Sequence, residues 1–401
     1  MKKKDEKTAI ISCFFMHNYG SMLQAYATER ILDNLGIECE TINCILPRKY
    51  MQQSIVLYTI KKLYMGDYKM RMKKFKMMHN QIKNEKYKVN CQKRGEAFER
   101  FKNKYFRLSE KYSSYEELAA SVNKYSAYLV GSDQLWKPDS IEQGYYTLDF
   151  VPDNIKKISY ATSFGVKKLP HFQIKKAKNF LNRFDRISVR EQSGKKIVDE
   201  ISDKSAEVVL DPTLLLDKNE WGKILEENKS IIETPYIFVY LLGNNPEHRE
   251  IIKKVKSIKG YPIVALLHVD EYIAEDEEFA DISPYDVDPS EFLSLIKNAE
   301  YIFTDSFHAS VFSIIFEKQF FTFNRFNESN KNGTNTRIDN LMEITGLGKR
   351  RMSNITDSNL LEEKIESKIL YDEVKKRISE CKKSSLAFLK SAFEIEGGNG
   401  A

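Results

Sequence analysis

The chain has 401 residues, of which 42% are hydrophobic and 30% are charged, and its formal net charge is +6. The length favours two domains, and the composition is typical of globular proteins and excludes a disordered chain. The longest apolar runs, such as 237–242, are strand-sized, and the charged N-terminus does not resemble a signal peptide. The five cysteines are odd in number, with no C-x-x-C spacing, which favours a reducing compartment. We therefore expect a cytoplasmic protein.

The first half of the sequence predicts a parallel sheet with helical crossovers. A buried strand at 8–15 is followed by a polar turn at 17–21, a helix that ends at Gly36 and a second strand at 38–42. Further strands are predicted at 125–130, 158–162, 187–189 and 208–210, with a helix at 171–183. We place this N-terminal α/β domain at 1–215.

The segment 51–107 interrupts the alternation. It is rich in Met, Lys and Tyr and nearly free of Gly and Pro, which predicts two or three amphipathic helices inserted into the first domain. Within it, residues 61–107 carry 16 Lys or Arg and 4 Asp or Glu, a local charge of +12, so the rest of the chain carries −6. Such a segment is either a solvated helical hairpin or a surface that contacts anionic lipid head groups. No nucleic-acid-binding motif accompanies the charge, so we expect no nucleic-acid partner.

The pattern starts again near residue 235. Strands are predicted at 236–241, 262–267, 301–303 and 320–323, and helices at 246–258, 289–298, 309–316 and 337–345. We place the C-terminal α/β domain at 235–350. A single long helix predicted at 358–394, within the C-terminal segment 351–401, is expected to pack back on the first domain. Two such sets predict two Rossmann-like parallel-sheet domains that face each other across a cleft, the arrangement called GT-B in glycosyltransferases.

Five turns that follow predicted strands carry small or polar residues, at 17–21, 131–134, 162–165, 189–191 and 304–308. In open parallel sheets, ligands bind beyond the carboxyl ends of the strands. Helix capping explains any one of these turns, but five together favour a ligand site. His308, at a strand-to-helix turn, is the histidine best placed for chemistry. We predict no metal site, because no histidines have metal-ligand spacing, and no ATP or dinucleotide site, because their glycine motifs are missing from the sequence.

Several of these turns match a known family. The segment 18–27, NYGSMLQAYA, resembles the opening motif of the polysaccharide pyruvyl transferase family. The similarity continues through 130–136 (VGSDQLW), 160–165 (YATSFG), 188–191 (SVRE) and 209–213 (VLDPT). In the second half, 304–309 (TDSFHA) and 336–338 (TRI) resemble the remaining signatures, so the resemblance covers about residues 8–350.

The resemblance implies a GT-B-like fold and a ketal-forming reaction. Phosphoenolpyruvate, as co-substrate, donates a pyruvyl group to two hydroxyls of one sugar, and phosphate leaves. The acceptor is a polysaccharide precursor, usually linked to a lipid at the cytoplasmic face of a bacterial membrane. No other cofactor is implied. In this setting the basic insertion would meet the membrane or a polyprenyl-diphosphate carrier.

The resemblance assigns Arg190 to the anionic donor and His308 to proton transfer. Arginine binds carboxylate and phosphate groups in a bidentate manner, and histidine titrates near neutrality. We expect the two residues on opposite domains, so that the cleft must close to bring them together.

One position departs from the family pattern. Many members carry Arg-x-His where this chain has Ser306, Phe307 and His308. We expect Arg337, in its Thr-Arg-Ile context, or Arg325 to supply the missing charge at the donor. The opposite wall, for the acceptor sugar or its carrier, is assigned to six residues: Asn18, Gly20, Gln24, Ser132, Asp133 and Ser163.

Two alternatives stay open at this point. One is a glycosyltransferase that uses a nucleotide sugar on the same scaffold. The departure from the family pattern at Ser306 leaves this alternative open. The other is a non-catalytic protein of glycan assembly, and the retention of both Arg190 and His308 argues against it.

Overall fold

The computed structural model describes residues 7–44, 84–225, 232–269, 272–325, 335–352 and 357–395. Within these ranges, strands and helices alternate along the chain and form two parallel sheets, as the sequence predicts. The stretch 45–83, which holds most of the predicted insertion, lies outside the described residues. None of the described helices is long and apolar enough to cross a membrane.

The first sheet has six parallel strands in the order β2-β1-β3-β4-β5-β6. Its strands are β1 Thr8–Ile11, β2 Cys39–Thr41, β3 Ala127–Val130, β4 Lys156–Thr162, β5 Arg186–Val189 and β6 Ala206–Val208. Its helices are α1 Tyr19–Asn34, α2 Glu85–Tyr105, α3 Tyr115–Ala120, α4 Pro138–Ile141, α5 Ile174–Asn182 and α6 Gln192–Ile201. The strand order changes direction between β1 and β3, and such a point favours ligand binding beyond the strand ends.

The second sheet has five parallel strands in the order β11-β10-β9-β7-β8. Its strands are β7 Ile237–Tyr240, β8 Ile263–Ala265, β9 Tyr301–Thr304, β10 Gln319–Phe323 and β11 Arg351–Met352. The helices are α7 Lys218–Lys223, which precedes this sheet, and then α8 Pro246–Lys259, α9 Pro289–Asn298, α10 Phe307–Ile315 and α11 Thr336–Thr345. Here the order changes direction between β7 and β9.

Local sequence signals set the ends of several helices. The side chain of Asp288 accepts hydrogen bonds from the N–H groups of Ser290 and Glu291, and this cap places the start of α9 at Pro289. Gly260 ends α8 in a left-handed conformation, with φ of +70°, which glycine adopts without strain. Both helices therefore have ends that the sequence predicts closely.

The single helix predicted at 358–394 is wrong. The chain forms two helices there, α12 Ser358–Glu366 and α13 Tyr371–Ala392. Between them, the N–H of Ile369 donates to Oε1 of Gln319 at 3.3 Å, and the Ile369 side chain is buried. This contact with β10 replaces a helical hydrogen bond and turns the chain, which helical periodicity alone does not reveal.

Helix α13 bridges the two domains. Near its start, the hydroxyl of Tyr371 donates to the carbonyl of Ser313 in the second domain at 3.3 Å. Near its end, the hydroxyl of Ser385 accepts from the N–H of Leu210 at 2.9 Å, beside the first sheet. The last helix therefore contacts both domains.

One apolar cluster continues from the first domain into the second. The ring of Tyr19 stacks on Phe292, with 4.4 Å between ring centroids and planes 7° apart. The indole of Trp221 lies between Tyr26 at 5.7 Å and Phe312 at 4.9 Å. Since large buried aromatic side chains contribute about 3–5 kcal/mol each relative to alanine, these contacts hold the domains in a defined relation.

Candidate active site

Residues that follow strands of both sheets contact one another in one cluster. Ser132 follows β3, Arg190 follows β5 and Asp211 lies after β6, while His308 is in the first turn of α10, directly after β9. All four are buried. The cluster therefore lies between the domains, at the carboxyl ends of their strands.

Asp211 is the centre of this cluster. Its Oδ2 accepts hydrogen bonds from Nη1 of Arg190 at 2.7 Å and from the hydroxyl of Ser132 at 2.8 Å, and it lies 3.5 Å from Nε2 of His308. Its Oδ1 accepts from the N–H and the hydroxyl of Thr213. Burial would raise the pKa of Asp211, but His308 and Arg190 outweigh it and hold that pKa well below its usual range. Asp211 therefore links the two residues expected on opposite domains.

One edge of the Arg190 guanidinium, called the free edge below, makes no hydrogen bond but faces two carboxylates. Nε and Nη2 are buried and have no hydrogen-bond partner, whereas Nη1 is held by Asp211. The nearest carboxylates along the free edge are Asp133, 3.7 Å from Nη2, and Glu191, 4.0 Å from Nε. These distances are too long for hydrogen bonds. Because Nε and Nη2 point the same way, this edge can bind a carboxylate or phosphate group with two parallel hydrogen bonds.

Arg337 brings a second guanidinium from α11. Its Cζ lies 5.9 Å from the ring centroid of Phe307, and Cζ of Arg190 lies 4.5 Å from the same centroid. Its Nε is enclosed without a hydrogen-bond partner. Burial, followed by the like charges of Arg190 and Arg325, lowers the pKa of Arg337 to about 9. A bound anion would relieve this repulsion and stabilise the charged form.

Arg325 has a different role from Arg337. Its Nη2 donates to the backbone carbonyl of Asp305 at 3.2 Å. The carboxylate of Asp305 accepts from the N–H groups of Leu242 and Gly243, at 2.7 and 2.8 Å, in the turn after β7. Arg325 therefore supports the turns around the site. From this position its positive charge contributes to the lowered pKa of Arg337.

The imidazole of His308 packs directly against the first turn of α1. A Cβ atom added at Gly20 would lie 2.0 Å from Nδ1 of His308, so only glycine fits at this position. The side chain of His308 is 6% exposed. The contact joins the second domain to the start of α1 and fixes the ring with Nε2 toward Asp211.

Comparison with known families decides the assignment. The model of the polysaccharide pyruvyl transferase family matches residues 18–325. The chain belongs to the polysaccharide pyruvyl transferase family. The matched range begins at Asn18, includes Arg190 and His308, and ends at Arg325, so that Arg337 lies beyond it. Comparison with curated protein sequences finds no match.

Solved structures share the architecture. A Listeria monocytogenes protein assigned as a UDP-N-acetylglucosamine 2-epimerase has a TM-score of 0.53 at 11% identity, with 98% of each chain covered. Another UDP-N-acetylglucosamine 2-epimerase has a TM-score of 0.51 at 10% identity, with 100% of this chain and 99% of that chain covered. At such identities the similarity shows the fold alone. It is the GT-B-like pair of parallel-sheet domains predicted from the sequence.

Ser306, where this member of the pyruvyl transferase family departs from the family pattern, is the N-cap of α10. Its hydroxyl accepts from the N–H of Ala309 at 3.4 Å, and its own N–H donates to the hydroxyl of Thr304 at 2.9 Å. Ser306 therefore shapes the turn but brings no charge. The guanidinium groups beside the next residue, Phe307, belong to Arg190 and Arg337.

The N-terminus of α1 reaches the same cluster. Asn18 caps the helix by accepting from the N–H of Ser21 at 3.1 Å, and the hydroxyl of Ser21 donates to Oδ2 of Asp133 at 2.6 Å. Burial would raise the pKa of Asp133, but Arg190, His308 and Arg337 together hold it well below its usual range. Asp133 adopts a φ of +85°, so the backbone is strained where its carboxylate enters the site.

Three other residues predicted for the acceptor are completely enclosed. Nε2 of Gln24 donates to the carbonyl of Ser21 at 2.8 Å, and Ser132 donates to Asp211. The hydroxyl of Ser163 donates to Glu191 at 2.7 Å. The residues predicted for the donor and those predicted for the acceptor thus lie in one cluster instead of on two opposite walls, because the domains already meet at Gly20 and Asp211.

Sequence reasoning missed three members of the cluster. Asp211 stands in the segment VLDPT that carries part of the family resemblance, directly before Pro212, but it was given no role. Glu191 follows Arg190, and its Oε2 is buried without a hydrogen-bond partner. Phe307 was treated only as a spacer, although its ring lies beside both arginines. A buried acid after a predicted strand was the signal for Asp211.

Proposed function

We propose that this chain is a ketal-forming pyruvyl transferase that moves the pyruvyl group of phosphoenolpyruvate to two hydroxyls of one sugar in a glycan precursor. The observation that carries the proposal is the free edge of Arg190, which lies beside a second guanidinium and a histidine. Phosphoenolpyruvate has both a carboxylate and a phosphate, so it needs two such cationic groups.

The proposed reaction gives His308 a proton-transfer role. The CH2 carbon of the enol gains a proton and becomes a methyl group, and the adjacent carbon forms two C–O bonds to the sugar. The C–O bond to phosphate breaks, so phosphate leaves with its oxygen. Of the two hydroxyl protons, one replaces the proton given to the methyl group and the other goes to phosphate. Histidine suits such an exchange near neutral pH, and Asp211 orients its ring.

Arg190 and Arg337 take the anionic groups in this scheme. Asp211 holds Nη1 of Arg190, which leaves Nε and Nη2 as a fixed fork for the carboxylate or the phosphate. The developing charge on the departing phosphate would be stabilised by Arg337, whose own charge lacks a close partner among the described residues.

The test measures phosphate release from phosphoenolpyruvate in the presence of glycan precursors extracted from the source organism. His308→Ala is expected to abolish release because the proton-transfer group is lost. Phosphoenolpyruvate should still raise the melting temperature of this variant, since both arginines remain. His171→Ala is the matched control, because His171 is exposed and lies outside the cluster.

Two outcomes would overturn the proposal. One is an undiminished rate in His308→Ala. The other is stabilisation of the wild-type chain by UDP-N-acetylglucosamine with no stabilisation by phosphoenolpyruvate, which would favour a nucleotide-sugar enzyme.

A further inference from the structure

A cavity of about 500 Å³ lies between α2 and the second domain. Its wall includes Tyr87 and Asn90 of α2, and Tyr272 and Tyr285 from the loops between β8 and α9. The volume is within the range of roughly 300–1,000 Å³ that is typical of small-molecule sites. Its lining residues differ from those of the candidate active site.

Buried contacts fix the position of α2 at this cavity. Arg94 is buried, and its Nε donates to the carbonyl of Tyr285 at 2.7 Å while its Nη2 donates to that of Pro284 at 3.1 Å. The guanidinium of Arg94 also lies over the ring of Tyr19, which precedes Gly20 at the active site. Because charge-assisted hydrogen bonds of this kind are strong, the cavity is a preformed feature of the folded chain.

The cavity wall combines aromatic rings with an amide. Tyr87 and Tyr272 meet edge to face, with centroids 5.5 Å apart and planes at 79°. Tyr285 supplies a third ring, and Asn90 supplies a side-chain amide that both donates and accepts. Aromatic rings offer apolar faces to the C–H faces of sugars, and amides bind their hydroxyls, so this wall suits a saccharide.

The charge of the wall selects among saccharides. Two of the three acidic side chains of the wall pair with arginines, Asp276 with Arg249 and Asp286 with Arg100. Glu277 accepts a hydrogen bond from the neutral hydroxyl of Tyr272 and keeps its charge. Lys86 and Lys93 also line the cavity, both are exposed, and neither forms an ion pair with any residue that the structure describes. The two lysines outweigh Glu277, so the net charge available to a ligand is positive, which favours an anionic sugar.

We propose that this cavity binds an acidic saccharide unit of the acceptor glycan, at a sugar other than the one that receives the pyruvyl group. The inference rests on the proposed function for the identity of the acceptor as a glycan. Tyr87, Tyr272 and Tyr285 contact the sugar faces, and Lys86 and Lys93 bind the carboxylate.

The experiment measures equilibrium binding of three probes to the full chain by titration calorimetry. The probes are a hyaluronan tetrasaccharide, whose glucuronates are acidic, the neutral chitotetraose, and inorganic phosphate. We expect the hyaluronan tetrasaccharide to bind at least about tenfold more tightly than chitotetraose, and the double variant Lys86→Glu, Lys93→Glu to lose about tenfold in that affinity. Lys88→Glu is the matched control, because Lys88 is exposed on the same helix and does not line the cavity.

Several results would overturn this inference. They are no binding of the acidic tetrasaccharide, equal binding of both tetrasaccharides, inorganic phosphate competing as tightly as the saccharide, or an unchanged affinity in the double variant. Failure of the proposed function gives a different pattern. If phosphoenolpyruvate is not the donor, the wild-type chain and His308→Ala still bind the tetrasaccharide equally, and only the transfer assay shows no phosphate release.

Discussion

Two buried carboxylates in this molecule have pKa values that are shifted in opposite directions. Asp211, in the candidate active site, and Glu29, in α1, are both shielded from solvent. The pKa of Asp211 is held well below its usual range, whereas burial raises the pKa of Glu29 to about 7. The difference lies in their partners. His308 and Arg190 are buried beside Asp211, with Nε2 of His308 at 3.5 Å and Nη1 of Arg190 at 2.7 Å. Beside Glu29, by contrast, Arg107 is 43% exposed and has its Nε 3.9 Å away.

The comparison shows that buried cations keep the carboxylates of the candidate site ionised. Burying an isolated charge is expensive, so a carboxylate without a buried cation takes up a proton, as Glu29 does near neutral pH. In the candidate site, by contrast, neighbouring cations hold the pKa values of Asp211 and Asp133 well below their usual range, so both carboxylates stay charged. Charges fixed in this way need no rearrangement when a charged ligand binds, which agrees with the proposed transfer from an anionic donor.

The largest expected effect comes from Asp211→Asn. The variant leaves Arg190 buried without the carboxylate that holds Nη1, and breaking one partner of a buried pair typically destabilises a fold by about 3–5 kcal/mol. We expect a lower urea midpoint and loss of phosphoenolpyruvate-dependent phosphate release. Asp153→Asn is the control, because Asp153 is 81% exposed and pairs with Arg183 at the surface, where a change within about 1 kcal/mol is expected. Equal urea midpoints for the two variants would contradict the comparison.

Gly20→Ala should have the next largest effect. The added Cβ would lie 2.0 Å from Nδ1 of His308, so the ring must move away from Asp211. Misplacement of a catalytic group by about 1 Å can cost about a hundredfold in rate, and overpacking typically destabilises by about 1–3 kcal/mol. The rate of phosphate release measures the loss of activity, and the urea midpoint measures the loss of stability.

The matched control for that variant is Gly222→Ala in α7. No atom lies within 4 Å of a Cβ added at Gly222, so the better helix propensity of alanine should stabilise the chain by about 0.5–1 kcal/mol. The two substitutions are chemically identical, and they should change stability with opposite signs. A stabilised, fully active Gly20→Ala variant would remove the argument that His308 depends on this contact.

The sequence predicted the loops of the site but not their contacts. Turns after parallel strands meet at one edge of a sheet, so the proximity of Ser132 and Arg190 follows from their positions after β3 and β5. The contact of Gly20 with His308 depends on how two separate sheets pack, and no local pattern encodes it. The approach of His308 to Asp211 likewise depends on that packing, although the position of Asp211 after a predicted strand was a local signal for the acid itself.

Glu29→Gln should change the pH dependence of stability by a smaller amount. The pKa of Glu29 is about 7 in the folded chain, above its ordinary value of about 4.5, so the folded state prefers the protonated acid. The stability contributed by Glu29 is therefore complete below about pH 4.5 and is lost as the pH rises through about 7. Glutamine stays neutral at every pH. Between pH 4.5 and pH 8, the free energy of unfolding of the variant should therefore rise relative to that of wild type by on the order of 3 kcal/mol.

In this measurement, the informative quantity is how the difference in the free energy of unfolding between variant and wild type changes with pH, not its value at one pH. The hydroxyl of Thr41 and the N–H of Arg107 both donate to the Glu29 carboxylate, and glutamine disturbs these bonds equally at every pH. Asp211 has the opposite sign: its depressed pKa contributes stability above about pH 4 that is lost at lower pH, so Asp211→Asn should gain on wild type as the pH falls from 5 to 3. Urea titrations of both variants against wild type should thus give differences that run in opposite directions with pH. Slopes of the same sign would mean that His308 and Arg190 do not hold the pKa of Asp211 below its usual range, and would contradict the contrast between the two carboxylates.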